Sequence, residues 1–173
     1  VIVSPIINRE EALSVFRGRK GLLFRRRQVV KVELWFMPYD RFVVELETGR
    51  EPVKDACCVD RVVGAFAFID VERLKMETET PDAGLRAHPA LSPQQTLVIA
   101  QDEYARHLLR LNLRRKTSTR VTAITHAGVF EYPYWVGYFT KGRVLDFDVI
   151  DAVSGQFQGP KMRPVFAHAL LSA

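Results

Sequence analysis

The chain has 173 residues and a mass of 19.8 kDa, enough for one large domain or two small ones. It is 47% hydrophobic with a mean hydropathy of −0.05, which is too apolar for a disordered chain. No apolar run approaches the roughly 20 residues of a membrane-spanning helix. The formal net charge of +5 is only mildly basic.

In chain order, Val1–Ala12 shows no signal-peptide pattern, because its apolar stretch is short and is followed by Glu10 and Glu11. The first residue is not Met, so a removed leader stays open, and the cytoplasm is the expected compartment. Asn8-x-x-Glu11 reads as a capping box, in which the two side chains satisfy free N–H groups at a helix start. A short helix is expected over about Arg9–Arg17, ending near Gly18. Val30, Val32, Leu34 and Phe36 alternate as on one face of a strand. Thr48-Gly49 is a hairpin turn candidate.

The two cysteines, Cys57 and Cys58, are adjacent. Neighbouring strand side chains point to opposite faces, so a disulfide between them is not expected. The stretch 72–92 is polar, carries Pro81, Gly84 and Pro89, and reads as a linker. Ser92-x-x-Gln95, followed by Pro93 at the first helical position, opens a long helix over about Pro93–Leu113. Leu97, Ala100, Tyr104, Leu108 and Leu111 form its apolar stripe. Leu145, Phe147 and Val149 alternate in a later strand, Lys141-Gly142 is a second turn candidate, and Pro164–Leu171 reads as a short closing helix.

The two sides of the linker resemble each other. Pro38-Tyr39, a strand-like run, then Asp60-Arg-Val-Val-Gly64-Ala-Phe66 is matched by Pro133-Tyr134, a run, then Asp151-Ala-Val-Ser-Gly155-Gln-Phe157. The Pro-to-Asp separations are 22 and 18 residues, so one hairpin is longer. The expected fold class is α+β: two tandem helix-plus-antiparallel-sheet repeats packed together, 1–71 and 93–173, with 72–92 between them or one continuous domain. Pro38 and Pro133 lack a ladder donor and should lie at an edge or bulge.

Tyr132-Pro-Tyr134-Trp135, followed by Phe147-Asp-Val-Ile-Asp151-Ala-Val-Ser-Gly155, resembles PepSY-like domains. These are small modules of one helix and an antiparallel sheet, whose strands often end in an Asp-Ala-x-Ser/Thr-Gly turn. The match covers mainly the second half; in the first, Val63 stands where the motif has Ser or Thr. Family members are generally non-catalytic, and some are associated with protease propeptides or envelope proteins. The resemblance therefore implies a binding or regulatory role.

Little in the sequence points to catalysis. His88, His107, His126 and His168 are scattered, with no His-x-x-x-His or Cys-x-x-Cys spacing for zinc. No phosphate loop or nucleophile elbow occurs. Asp146, Asp148 and Asp151 are the one carboxylate cluster near a tight turn. Such carboxylates can bind a divalent cation or serve as acid and base, but more often they are the solvated face of an amphipathic strand. No catalytic residue, metal site or cofactor is expected.

Charge placement is more informative. Arg17, Arg19, Lys20, Arg25, Arg26, Arg27 and Lys31 give +7 over 17–31 with no acid. Arg106, Arg110, Arg114, Arg115, Lys116 and Arg120 give +6 over 106–120, again with no acid. The rest of the chain has a net charge of −8. Arg outnumbers Lys in these stretches by ten to three, and its planar fork suits bidentate contact with carboxylate or phosphate. The acidic remainder disfavours wrapping by nucleic acid. Trp35, Tyr39, Tyr134 and Trp135 could add aromatic contacts to such a surface, or fill the core. The expected function is a binding or assembly module that recognises a protein partner or a second copy through its Arg-rich segments and these aromatics. A nucleic-acid-binding accessory protein is the alternative, and a metal-dependent enzyme comes third.

Overall fold

The computed structural model describes residues 1–18, 28–49, 52–78, 84–141, 144–160 and 162–171. The fold is α+β, with three helices and a mixed β-sheet among these residues. The elements are β1 (Ile2–Val3), α1 (Arg9–Gly18), β2 (Val29–Glu47), β3 (Pro52–Asp60), β4 (Phe66–Ala67), β5 (Met76–Glu77), β6 (Leu85–Arg86), α2 (Pro93–Arg115), β7 (Arg120–Lys141), β8 (Val144–Asp151) and α3 (Arg163–Leu171), with a 3₁₀ turn at Val71–Arg73. The chain divides into two compact units: Val1–Met37, Lys75–His88 and Glu131–Ala173 form the first, and Pro38–Leu74 with Pro89–Phe130 the second. Each unit therefore takes segments from both sides of the 72–92 stretch. Within that stretch β5 pairs with β1 and β6 with β2, so it contributes strands to the sheet.

Both helix starts follow from their caps. The Asn8 side chain accepts from the N–H groups of Glu10 and Glu11, and Glu11 accepts from the Asn8 N–H. Ser92 and Gln95 make the same reciprocal pair, with Pro93 at the first helical position. Ser92→Ala is expected to destabilise the protein by about 1 kcal/mol in urea unfolding, the usual worth of such a cap.

In the second unit α2 covers β2 and β3. Phe42, Val44, Leu46, Cys57 and Val59 are buried with Ala100, Tyr104 and Leu108. In the first unit α1 packs on β2, β7 and β8, where Ala12 and Phe16 join Val32, Trp135, Ile150 and Ala152.

The same local geometry recurs in the two units. The β2–β3 hairpin pairs Tyr39 with Asp60, and the β7–β8 hairpin pairs Tyr134 with Asp151. Each Asp accepts N–H bonds from the second and third residues after it: Val62 and Val63 for Asp60, Val153 and Ser154 for Asp151. Gly64 (φ 83°) and Gly155 (φ 71°) then supply the left-handed conformation that L side chains resist. The C=O of Arg61 accepts from Ala90 and Leu91, just ahead of the α2 cap, and the C=O of Ala152 accepts from Ile6 and Ile7, just ahead of the α1 cap.

Pro38 and Pro133 lie inside the long strands β2 and β7, which are interior to the sheet order rather than at its edge. Each falls in a gap between ladders: Pro38 between the pairings of β6 and β3 with β2, and Pro133 between those of β1 and β8 with β7. In those ladders a missing N–H at the gap removes no bond.

Candidate functional site

The outward face of α2 collects the charge singled out by the sequence. Arg106, Arg110 and Arg114 recur at four-residue spacing and are exposed along one side of the helix. Arg106 is bridged by Glu103 one turn back. Among the described residues no carboxylate pairs with Arg110, Arg114 or Arg115, whereas Arg120 pairs with Glu47. Arg114 and Arg115 also lie in the last turn, where cations complement the helix dipole. Arg17 is exposed at the end of α1. Arg19, Arg25, Arg26 and Arg27 lie outside the described residues.

Beside the arginines runs an apolar stripe that the sequence reading did not single out. Val98 is 56% exposed, Leu109 61% and Leu113 74%, with exposed Ala105 between them. Their spacings of seven, four and four place them on one helix face. That spacing is visible in the sequence, but it runs opposite the stronger core stripe of Leu97, Ala100, Tyr104, Leu108 and Leu111.

The four aromatics expected at an interface are core residues instead. Trp35, Tyr39, Tyr134 and Trp135 are all buried within the chain. Tyr39 stacks on Phe130 at 5.6 Å, and Tyr134 meets the edge of Phe166 at 5.1 Å. Trp135 Nε1 donates to the C=O of Ile7 at 2.7 Å. Large rings on long strands bury the most area when helices cover them, so the core claims them first.

A second group of polar residues in the second unit gathers around the buried Asp40 and Thr96, with Arg61 half-buried and His126 reaching the surface. Asp40 is fully buried; Oδ2 accepts from the Thr96 hydroxyl at 2.6 Å, and Oδ1 lies 2.7 Å from His126 Nε2. Arg61 Nε is 3.6 Å from the carboxylate and also donates to the C=O of Leu91. The corresponding place in the first unit is apolar. Trp135 follows Tyr134 as Asp40 follows Tyr39, Ala12 lies four residues after its helix cap as Thr96 does, and Ala152 follows Asp151 as Arg61 follows Asp60. An Asp–His pair can orient an imidazole for proton transfer. Here the Thr96 hydroxyl meets the carboxylate and the carbonyls of Ser92 and Pro93. The arrangement is that of a buried carboxylate whose two oxygens are both hydrogen-bonded.

Other candidates are also engaged structurally. Asp146 is held by the guanidinium of Arg163 and by the N–H of Phe147. Asp151 takes its turn N–H groups and the Tyr132 hydroxyl. No three His, Cys, Asp or Glu residues among those described are placed to hold a metal ion. A groove of about 520 Å³ in the second unit is floored by Arg41, Val43, Lys54 and Ala56, with Phe68–Glu72 as its wall. Arg41 there bridges to Glu72 at 2.9 Å.

Cys57 and Cys58 are buried free thiols, and burial pushes both pKa values up to about 12. The reactive thiolate is therefore scarce in the folded state. Ellman's reagent at about pH 8 is expected to titrate both thiols rapidly in denaturant and far more slowly in the native protein.

No protein-family model matches the chain, and no curated protein or solved structure is found to be similar to it. Function therefore has to be argued from its own surfaces.

Proposed function

We propose that the chain is a non-catalytic binding module that docks a protein partner on the outward face of α2. The observation that carries this reading is the exposed stripe of Val98, Leu109 and Leu113 alongside Arg106, Arg110 and Arg114. An apolar strip edged by arginines is the composition of an interface core, where charges other than Arg are depleted. Burying a leucine side chain fully contributes about 1.5–3 kcal/mol. The guanidiniums of Arg110, Arg114 and Arg115, which no carboxylate among the described residues pairs, select an acidic patch on the partner and speed encounter with it. The buried aromatics leave no role for Trp35, Tyr39, Tyr134 or Trp135 in that contact.

We further propose that the α+β unit arose by tandem duplication, with the helix of each half covering the sheet of the other. The recurring Asp turns, helix caps and bonds from Arg61 and Ala152 support this. One helix on an antiparallel hairpin is also the make-up of the PepSY-like modules that the second half resembles.

The same arginines also suit nucleic-acid phosphates, which makes nucleic acid the competing reading. Light scattering with and without duplex DNA and single-stranded RNA, over a salt series, separates the two. The expected result is no complex at physiological salt. A tight complex whose log–log salt slope corresponds to several phosphates would favour nucleic acid instead.

A further inference from the structure

The α2 surface is complementary to itself when reversed. The first half of its exposed side carries Asp102 and Glu103 and no base; from Arg106 onward it carries Arg106, Arg110, Arg114 and Arg115 and no acid. Val98 lies near one end of the apolar stripe and Leu113 near the other, with Ala105 between them. Two such helices running antiparallel and crossing at Ala105 would set Val98 of each against Leu113 of the other. The same register brings Asp102 and Glu103 of one copy to Arg110 of the other. The small side chain at the crossing lets the helix axes approach closely. Arg106 falls near the two-fold axis, where its own Glu103 neutralises it.

From this complementarity we infer that the partner docked on α2 is a second copy of the chain, paired antiparallel through α2 about Ala105. The inference rests on the binding reading above and names its occupant. The contact is isologous, so it closes as a dimer and does not propagate.

Sedimentation equilibrium of the wild-type chain from about 5 to about 500 μM covers the range of a small interface. The expected mass rises from 19.8 kDa toward twice that value. Two charge-reversed variants test the register. D102R/E103R and R106E/R110E each place like charges opposite one another in a homodimer, and each is expected to weaken association about tenfold or more. An equimolar mixture restores opposite charges across the contact and is expected to recover wild-type association as a heterodimer. All substitutions fall at the surface, and recovery in the mixture itself shows that both variants are folded. A wild-type chain that stays monomeric throughout, or a mixture no tighter than its components, overturns the proposal. If the chain stays monomeric while Leu109 is found against a different protein, the self-pairing is wrong and the binding reading stands. If neither contact is found, both are wrong.

Discussion

Asp40→Ala is expected to destabilise the protein by about 3–5 kcal/mol, the cost of removing one member of a buried, hydrogen-bonded ionic group. The substitution removes the carboxylate that meets His126 Nε2 and Arg61, and leaves the Thr96 hydroxyl with the helix carbonyls of Ser92 and Pro93. It also opens a void under α2. Asp40→Asn keeps the volume and one acceptor oxygen, so it should cost less, about 1–3 kcal/mol. Urea unfolding, followed by tryptophan fluorescence, measures both. In the first unit Trp135, Ala12 and Ala152, which stand at the same spacings from their Tyr, helix cap and turn Asp, share an apolar core. An Asp40→Ala cost below about 1 kcal/mol would mean that the cluster does not hold the second unit together, and would return it to consideration as a chemical site.

The second large effect concerns Phe16 and Gly137. A Cβ on Gly137 would come within 2.8 Å of the Phe16 ring, so the strand is bare where the helix presents a large side chain. In the second unit the sizes are exchanged: Ala100, eight residues after its cap as Phe16 is, shares a core with Phe42, the counterpart of Gly137 in the hairpin. Phe16→Ala is expected to cost about 3–5 kcal/mol. Gly137→Ala should cost about 1–3 kcal/mol from overpacking alone, and Gly137→Phe more. Combining Phe16→Ala with Gly137→Phe reproduces the arrangement of the other unit and should recover part of the loss. The expected coupling energy is about 0.5–3 kcal/mol in a double-mutant cycle. Strict additivity would mean that the two units share a pattern of bonds without equivalent packing.

These residues also show how far the sequence could be read. The helix caps at Asn8 and Ser92, the Asp60 and Asp151 turns and the helix limits rest on contacts a few residues apart, so local patterns reveal them. Which sheet each helix covers was not legible, because a periodic apolar stripe names no partner. The α1 core residues Ala12 and Phe16 meet Trp135 and Ile150, which lie more than a hundred positions away. Trp35, Tyr39, Tyr134 and Trp135 show the same limit, since an aromatic suited to a core is equally suited to an interface. Asp40 and His126 are 86 residues apart and carry no shared motif. The outward α2 stripe was legible in principle from Val98, Ala105, Leu109 and Leu113. The structure shows that it is exposed, because the opposite stripe is the one that enters the core.

The most direct test of α2 as the binding face is a photo-reactive amino acid placed at Leu109, with the same group at exposed Val53 as a control. Irradiation in a native extract is followed by mass spectrometry of the adducts. The account predicts protein adducts at Leu109, a second copy of the chain included, that disappear when Arg106 and Arg110 are reversed to Glu. Adducts equally frequent at Val53, or Leu109 adducts made chiefly to nucleic acid, would contradict it.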